Sequence, residues 1–427
     1  MSRTAVFRSG ILVLMFAWMG AFPPSAFAQD PGGAAALPPS PESAVEPEGF
    51  TTEPEGVERA VIFLDRHFGN PGRTAGFYAD VFNMIPGAGW IAGGPGYRQW
   101  YRQDRVFVDA SAAISWRGYK TAQGRIEFSS GPFSRFAVGS QLRVQDFTQI
   151  EFFGTGPETL ETSRSEYRLK STNLVGYATV RPAERLGINV QLGWFEPSIL
   201  PRTGFFMRDR PDTRDVFRRD MVFALPDQPT FIHRDASVTF DGRDFPGHPT
   251  RGGLLRAAAA NYSDRDAGVF SFTRYETEAA GFVPLAGSRA VVAARGWLVA
   301  SATDDGQVVP FYLQPSLGGH NTLRSYADYR FHDRHLLVLN VETRIAMMTH
   351  VDIAAFFDAG NVAARVADLN LEKRSYGAGL RLHSRQQTFG RLDVARGAEG
   401  WRFVLRLTDP LNLGRVSHRT TPAPFVP

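Results

Sequence analysis

The sequence predicts an all-β protein, a transmembrane antiparallel β-barrel of about 16 strands, and three observations carry that expectation. An export signal opens the chain. No later stretch approaches the ~20 apolar residues that a membrane helix needs. Short runs of alternating polar and apolar residues then recur almost to the C-terminus.

The export signal comes first. Arg3 and Arg8 give a positive start, residues 11–22 are apolar and uncharged, and Ala26-Phe27-Ala28 is a small-x-small cleavage site. Residues 1–28 are therefore expected to be a signal peptide cut after Ala28; a membrane anchor would need a longer run and no such site. The 427 residues include no cysteine, which excludes a lipid-modified cysteine, disulfides and thiolate chemistry. It also suits passage through an oxidising compartment. The negative mean hydropathy speaks against a helical membrane protein but not against a barrel, whose strands interleave apolar and polar residues. The 34 Phe and 42 Gly fit interfacial aromatic girdles and tight turns. The formal charge of +4 has no basic block behind it, so nucleic acid is not an expected partner.

Residues 29–58 are rich in Pro, Ala, Gly and Glu, with Pro38, Pro39, Pro41, Pro47 and Pro54 breaking any regular element. They are expected to form a disordered lead segment. From 59 to 408 the alternation takes over, most clearly at Ile188-Asn189-Val190-Gln191-Leu192-Gly193-Trp194. Fifteen strands are expected near 87–98, 105–117, 121–130, 134–147, 163–179, 185–197, 231–240, 253–262, 268–283, 287–303, 334–346, 350–358, 374–385, 387–396 and 400–408, and one more within 59–85. That allows about 22 residues per strand and connection, enough for tilted strands of about 9–11 residues. Closure into a cylinder removes the exposed edges that so many strands would otherwise present. Two connections are long, Pro197–Thr230 and Ala302–Arg334. A proline-rich irregular tail, 409–427, follows the last strand.

Four segments in the second half share an order. They are Asp241-Gly242-Arg243-Asp244-Phe245-Pro246-Gly247-His248-Pro249-Thr250-Arg251-Gly252-Gly253; Leu317-Gly318-Gly319-His320-Asn321-Thr322-Leu323-Arg324-Ser325-Tyr326; Asn340-Val341-Glu342-Thr343-Arg344; and Phe356-Phe357-Asp358-Ala359-Gly360-Asn361-Val362. A further segment, Phe152-Phe153-Gly154-Thr155-Gly156, lies in the front half. In this order they resemble the BamA/TamA-like superfamily, also called the bacterial surface antigen family. The likeness covers about 230–408 well and 87–200 loosely. It implies that the long loop folds back into the lumen on the motif Gly318, Gly319, Arg324 and Tyr326. Arg324 would then meet Asp358 and Glu342 on the barrel wall. Strand alternation agrees, since with Phe357 turned to lipid Asp358 faces inward.

Two departures stand out. Ser325 occupies the place of the family's loop glycine, and the lead segment is too short for the POTRA domains that precede BamA-like barrels, so a partner would have to supply them. His332-Asp333-Arg334-His335 is the tightest His/Asp cluster, but its two histidines would oppose each other in a strand. Motifs for a serine nucleophile, a phosphate loop or a zinc protease are absent. No catalytic, cofactor-binding or metal residue is assigned, and an enzyme is not expected. The expectation is an outer-membrane barrel of a Gram-negative cell, aiding protein insertion or translocation. Its expected partners are outer-membrane lipid and periplasmic or outer-membrane assembly proteins. The alternative is a stand-alone pore or a surface-exposed structural barrel without assembly activity.

Overall fold

The computed structural model describes residues 49–406 except 69–74, 82–91, 130–134, 206–208, 218–221, 223, 226, 286–288 and 386. The expected signal peptide, the lead segment up to residue 48 and the tail 409–427 lie outside the described residues.

Sixteen strands form one antiparallel sheet in which each pairs with its neighbour in order. They are β1 (Gly76–Val81), β2 (Ala92–Tyr101), β3 (Val106–Ser115), β4 (Lys120–Ser129), β5 (Phe136–Phe152), β6 (Ser165–Ala183), β7 (Leu186–Leu200), β8 (Phe231–Asp241), β9 (Gly252–Asp264), β10 (Phe272–Leu285), β11 (Ala290–Ala302), β14 (His335–Met348), β15 (Val351–Ala363), β16 (Lys373–His383), β17 (Thr388–Gly397) and β18 (Gly400–Arg406). A separate two-stranded ribbon lies within the loop 303–334, where β12 (Ser316–Leu317) pairs with β13 (Phe331–His332). Among the described residues β1 and β18 each pair on one side only.

Burial is inverted relative to a soluble sheet. In β7, Leu192 is 58% exposed and Trp194 48%, while Gln191 between Val190 and Leu192 is 9% exposed. In β15, Phe357 is 40% exposed and Asp358 fully buried. Large apolar side chains thus face outward in a band that lipid would cover, and charges face the lumen.

The loop 303–334 fills much of that lumen. Val309, Phe311, Tyr312 and Leu313 pack with Tyr119, Phe147, Phe152 and Tyr167 of the β3–β6 wall. Leu317, Leu323, Tyr326 and Phe331 pack with Val299, Leu336, Val338 and Val362 of the β11–β15 wall. Antiparallel order places the connections alternately at two ends. The turn end holds 102–105, 184–185, 242–251 and 349–350, among others, and the loop end holds 153–164, 201–230, 303–334 and 364–372.

One expectation needs correction. Within the lead segment, read as disordered through residue 58, Thr51 is hydrogen-bonded to the sheet and a helix α1 (Glu55–Phe68) begins at Glu55. Val57, Val61 and Leu64 recur at helical spacing, and Glu55 and Glu58 suit the positive N-terminal end of the helix dipole. The segment is tethered at the turn end. Thr51 donates its amide to Met347 O at 3.0 Å, Glu53 meets His350 Nδ1 at 2.6 Å, and Ser384 donates to Asp65 at 2.8 Å. These partners lie some 300 residues away in sequence, so no local composition could reveal them.

Candidate functional site: the lumen loop and its anchor

The loop turns on two glycines. Gly318 and Gly319 have φ of +113° and +92°, where L side chains are strained. A Cβ on Gly318 would meet Ala327 O, and one on Gly319 would meet the Asp328 carboxylate. The Gly318 amide donates to Thr322 Oγ1 at 2.9 Å, and the Gly319 amide to Tyr326 O at 3.2 Å. This compact turn presents Arg324, which is 1% exposed.

Arg324 holds the wall bidentately. Its Nε donates to Asp358 Oδ2 at 2.9 Å, its Nη2 to Asp358 Oδ1 at 2.8 Å and its Nη1 to Glu342 Oε2 at 2.6 Å. The guanidinium also lies 3.5 Å from the centre of the Phe356 ring, a cation–π contact. Burial pulls its pKa down, but Asp358 and Glu342 outweigh that and hold it above the ordinary arginine value. The structure therefore brings Arg324, Asp358 and Glu342 together.

The cluster is larger than the three residues read from the sequence. Arg381 of β16 donates to Glu342 at 2.8 Å and to Asp393 at 2.5 Å. Arg391 of β17 donates to Asp393 at 3.2 Å and to His320 O in the loop at 2.8 Å. Asn340 donates to both Asp358 and Thr322 O. Three guanidinium groups thus face three carboxylates, the balance that buried charge requires. Arg381, Arg391 and Asp393 alternate with Leu380, Leu382 and Leu392, so inward parity could have found them; no distinctive motif marks them. Asn340, Glu342 and Arg344 are the inward face of β14 at i, i+2 and i+4, and Arg344 reaches Pro249 O in the first motif.

Ser325 donates its amide to Ser375 Oγ at 3.0 Å, and its hydroxyl occupies the space that a side chain at Gly397 would need. The room a loop glycine would provide is supplied from the wall instead. Tyr326 packs on Phe331 and accepts at its carbonyl from Arg402 at 2.7 Å. Arg330, part of the segment Tyr329-Arg330-Phe331-His332-Asp333 that follows the second motif but given no role there, donates to Glu399 at 2.7 Å and to Thr159 O at 2.7 Å, with Phe153 and Phe331 near its face. The front-half segment also meets the loop, because Gly156 donates its amide to His332 O at 2.7 Å. His332 and His335 do not come together: His332 sits among Phe152 and Tyr329, while His335 Nδ1 accepts from Ser301 N. Elsewhere His248, Asp352 and His383 form a buried trio near the turn end, with the two imidazoles stacked 3.8 Å apart. Parallel rings keep their lone pairs in parallel planes, a poor arrangement for sharing one ion.

A sequence profile of the Omp85 superfamily domain matches residues 232–396, which hold the whole loop and every member of the charged cluster. No curated protein sequence matches the chain. Among solved structures, BamA from Haemophilus ducreyi, in a form lacking POTRA domains 1–3, matches with a TM-score of 0.56 at 15% identity. That match covers 77% of this chain and 68% of the other. CdiB from Acinetobacter baumannii and CdiB from Escherichia coli each match with a TM-score of 0.47 at 11% identity over 77% of this chain. The chain spans 58% and 61% of those two. Residues 232–396, the anchor-bearing half, are thus similar to the Omp85 superfamily domain, and the sheet around them has a fold similar to that of BamA.

Proposed function

We propose that this barrel aids the insertion or translocation of other proteins at the outer membrane. The observation that carries this reading is the seam. β1 and β18 are the first and last strands of the sheet, and each has a neighbour on one side only among the described residues. An unpaired strand edge presents backbone donors and acceptors that an extended client segment can join by strand addition. β18 is also held by the lumen loop, since Arg402 and Arg406 approach Asp328 at 3.7 and 3.5 Å. A loop locked to the wall by Arg324 would steady that edge while leaving its outer rim available.

The competing reading, a pore or a structural barrel, has the filled lumen against its pore form. Aromatic and charged contacts join the loop to both walls. Deletion in the native host, followed by outer-membrane proteomics, separates the two. Broad depletion of other barrels supports insertion; loss of a single solute's uptake with a normal barrel complement sinks it.

A further inference from the structure

The turn end carries a pattern that the proposed function does not use. Five connections there end on an arginine directly before the next strand: Arg105 before β3, Arg135 before β5, Arg185 before β7, Arg251 before β9 and Arg289 before β11. Four of them occupy the same rung. The carbonyls of Arg105, Arg135, Arg185 and Arg289 accept from the amides of Ser129, Arg181, Asp241 and Ala346 on the adjoining strand, at 2.7–2.8 Å. All five side chains are exposed, and none has a carboxylate partner among the described residues. Four arginines toward the loop end instead have carboxylate partners, Arg164 on Glu151, Arg168 on Asp146, Arg330 on Glu399 and Arg365 on Asp368, as does Arg243 on Asp241 at the turn end. The turn end therefore holds a collar of five exposed arginines, four of them at one height where the hydrogen-bonded sheet stops, with Asp104, Glu184 and Asp244 in the same turns.

At one point the collar forms a cleft of about 520 Å³, lined by Arg102, Gln103, Arg105, Val106, Phe128 and Ser129. Phe128 is 47% exposed and belongs to the outward apolar band. Arg102, Gln103 and Asp104 all have φ near +60°, a left-handed run that non-glycine residues rarely adopt. Two guanidinium groups thus sit beside an apolar floor, at the edge of the surface that lipid covers.

We propose that this cleft seats the phosphate of an anionic phospholipid, and that the other collar arginines hold further headgroups of the same leaflet. Guanidinium matches phosphate bidentately, and Phe128 and Val106 suit the start of an acyl chain. A zwitterionic lipid would bring an ammonium group toward Arg102 and Arg105, so the site favours an anionic lipid.

The test uses the full mature chain in bilayers of equal phosphatidylcholine and phosphatidylglycerol, with retained lipid counted by native mass spectrometry after partial delipidation. Phosphatidylglycerol should be enriched about five-fold at the cleft, as expected for one arginine near an anionic surface. Arg102→Gln/Arg105→Gln should abolish that enrichment and 0.5 M salt should weaken it, while Arg365→Gln at the loop end should leave it unchanged. Heat-modified gel migration checks that each variant folds; if the double variant does not, Arg135→Gln/Arg185→Gln should lower the total retained anionic lipid instead. Equal enrichment in wild type and variants, or none in wild type, overturns the proposal. Displacement of the retained lipid by millimolar inorganic phosphate would identify a free-anion site and overturn the lipid assignment.

Discussion

The two walls of the lumen meet the same loop by different physics. The β14–β17 wall adds charge to its apolar contacts, with Asp358, Glu342 and Asp393 set around Arg324 and tied to Arg381 and Arg391. The β3–β6 wall meets it mainly through rings, with Phe311 packed on Phe152 and Tyr167 at centroid distances of 5.1 and 5.0 Å. The front wall has ion pairs too, such as Arg98 with Asp109 and Arg168 with Asp146, but these join neighbouring strands rather than wall and loop. A bidentate charge contact demands particular side chains at particular places. Apolar packing accepts exchanges that conserve volume. The motif-bearing half is accordingly the half that the Omp85 profile matches.

The largest expected effect is from Asp358→Ala. It leaves Arg324 buried with one direct carboxylate partner, and breaking a buried pair costs about 3–5 kcal/mol. Guanidinium unfolding in detergent should show that loss, together with an altered heat-modified gel shift. Arg324→Ala should loosen the loop nearly as much, since it takes the guanidinium from Asp358 and one of two from Glu342; unchanged gel shift and conductance would refute the inward anchor. Next come two milder changes that bear directly on the comparison. Arg324→Lys keeps the charge but loses the fork, and should cost roughly 1.5–3 kcal/mol, the worth of a hydrogen bond to a charged group. Phe311→Leu should cost about 1 kcal/mol. If Phe311→Leu is the more damaging, the walls do not differ as argued.

Acid should act more weakly and in a stated direction. Burial pushes the loop's His332 down to about 3, and burial outweighs Asp328 to push His320 down to about 4. An unfolded histidine binds its proton near pH 6.5, so between about 6.5 and 4 the released loop holds more protons than the docked one. Docking should weaken as pH falls through that window. Protease nicking of the loop at pH 7 and pH 5 measures it, and equal protection at both would count against the burial argument. The smallest effect belongs to Arg365→Ala. Its pair with Asp368 is exposed, and unfolding should not change measurably.

Much of this architecture was legible because alternation is a property of the chain itself. The expected strand at 185–197 is found at 186–200, and that at 350–358 runs on to Ala363. The membrane face of β7 could be read from Val190, Leu192 and Trp194 directly. The site was half legible. Arg324, Asp358 and Glu342 stand in motifs, whereas Arg381, Arg391 and Asp393 look like any inward polar residue until the strands are placed side by side. Helix α1 was missed because the prolines before it dominated the composition, and because its tethers lie at the far end of the chain.

Those tethers have a kinetic consequence. The contact between Glu53 and His350 closes a separation of 297 residues, one of the longest in the molecule. Closing so large a span is slow and requires the β14–β15 turn to exist first. The segment at 49–54 therefore settles among the last, and its docking marks a barrel whose second half is already built.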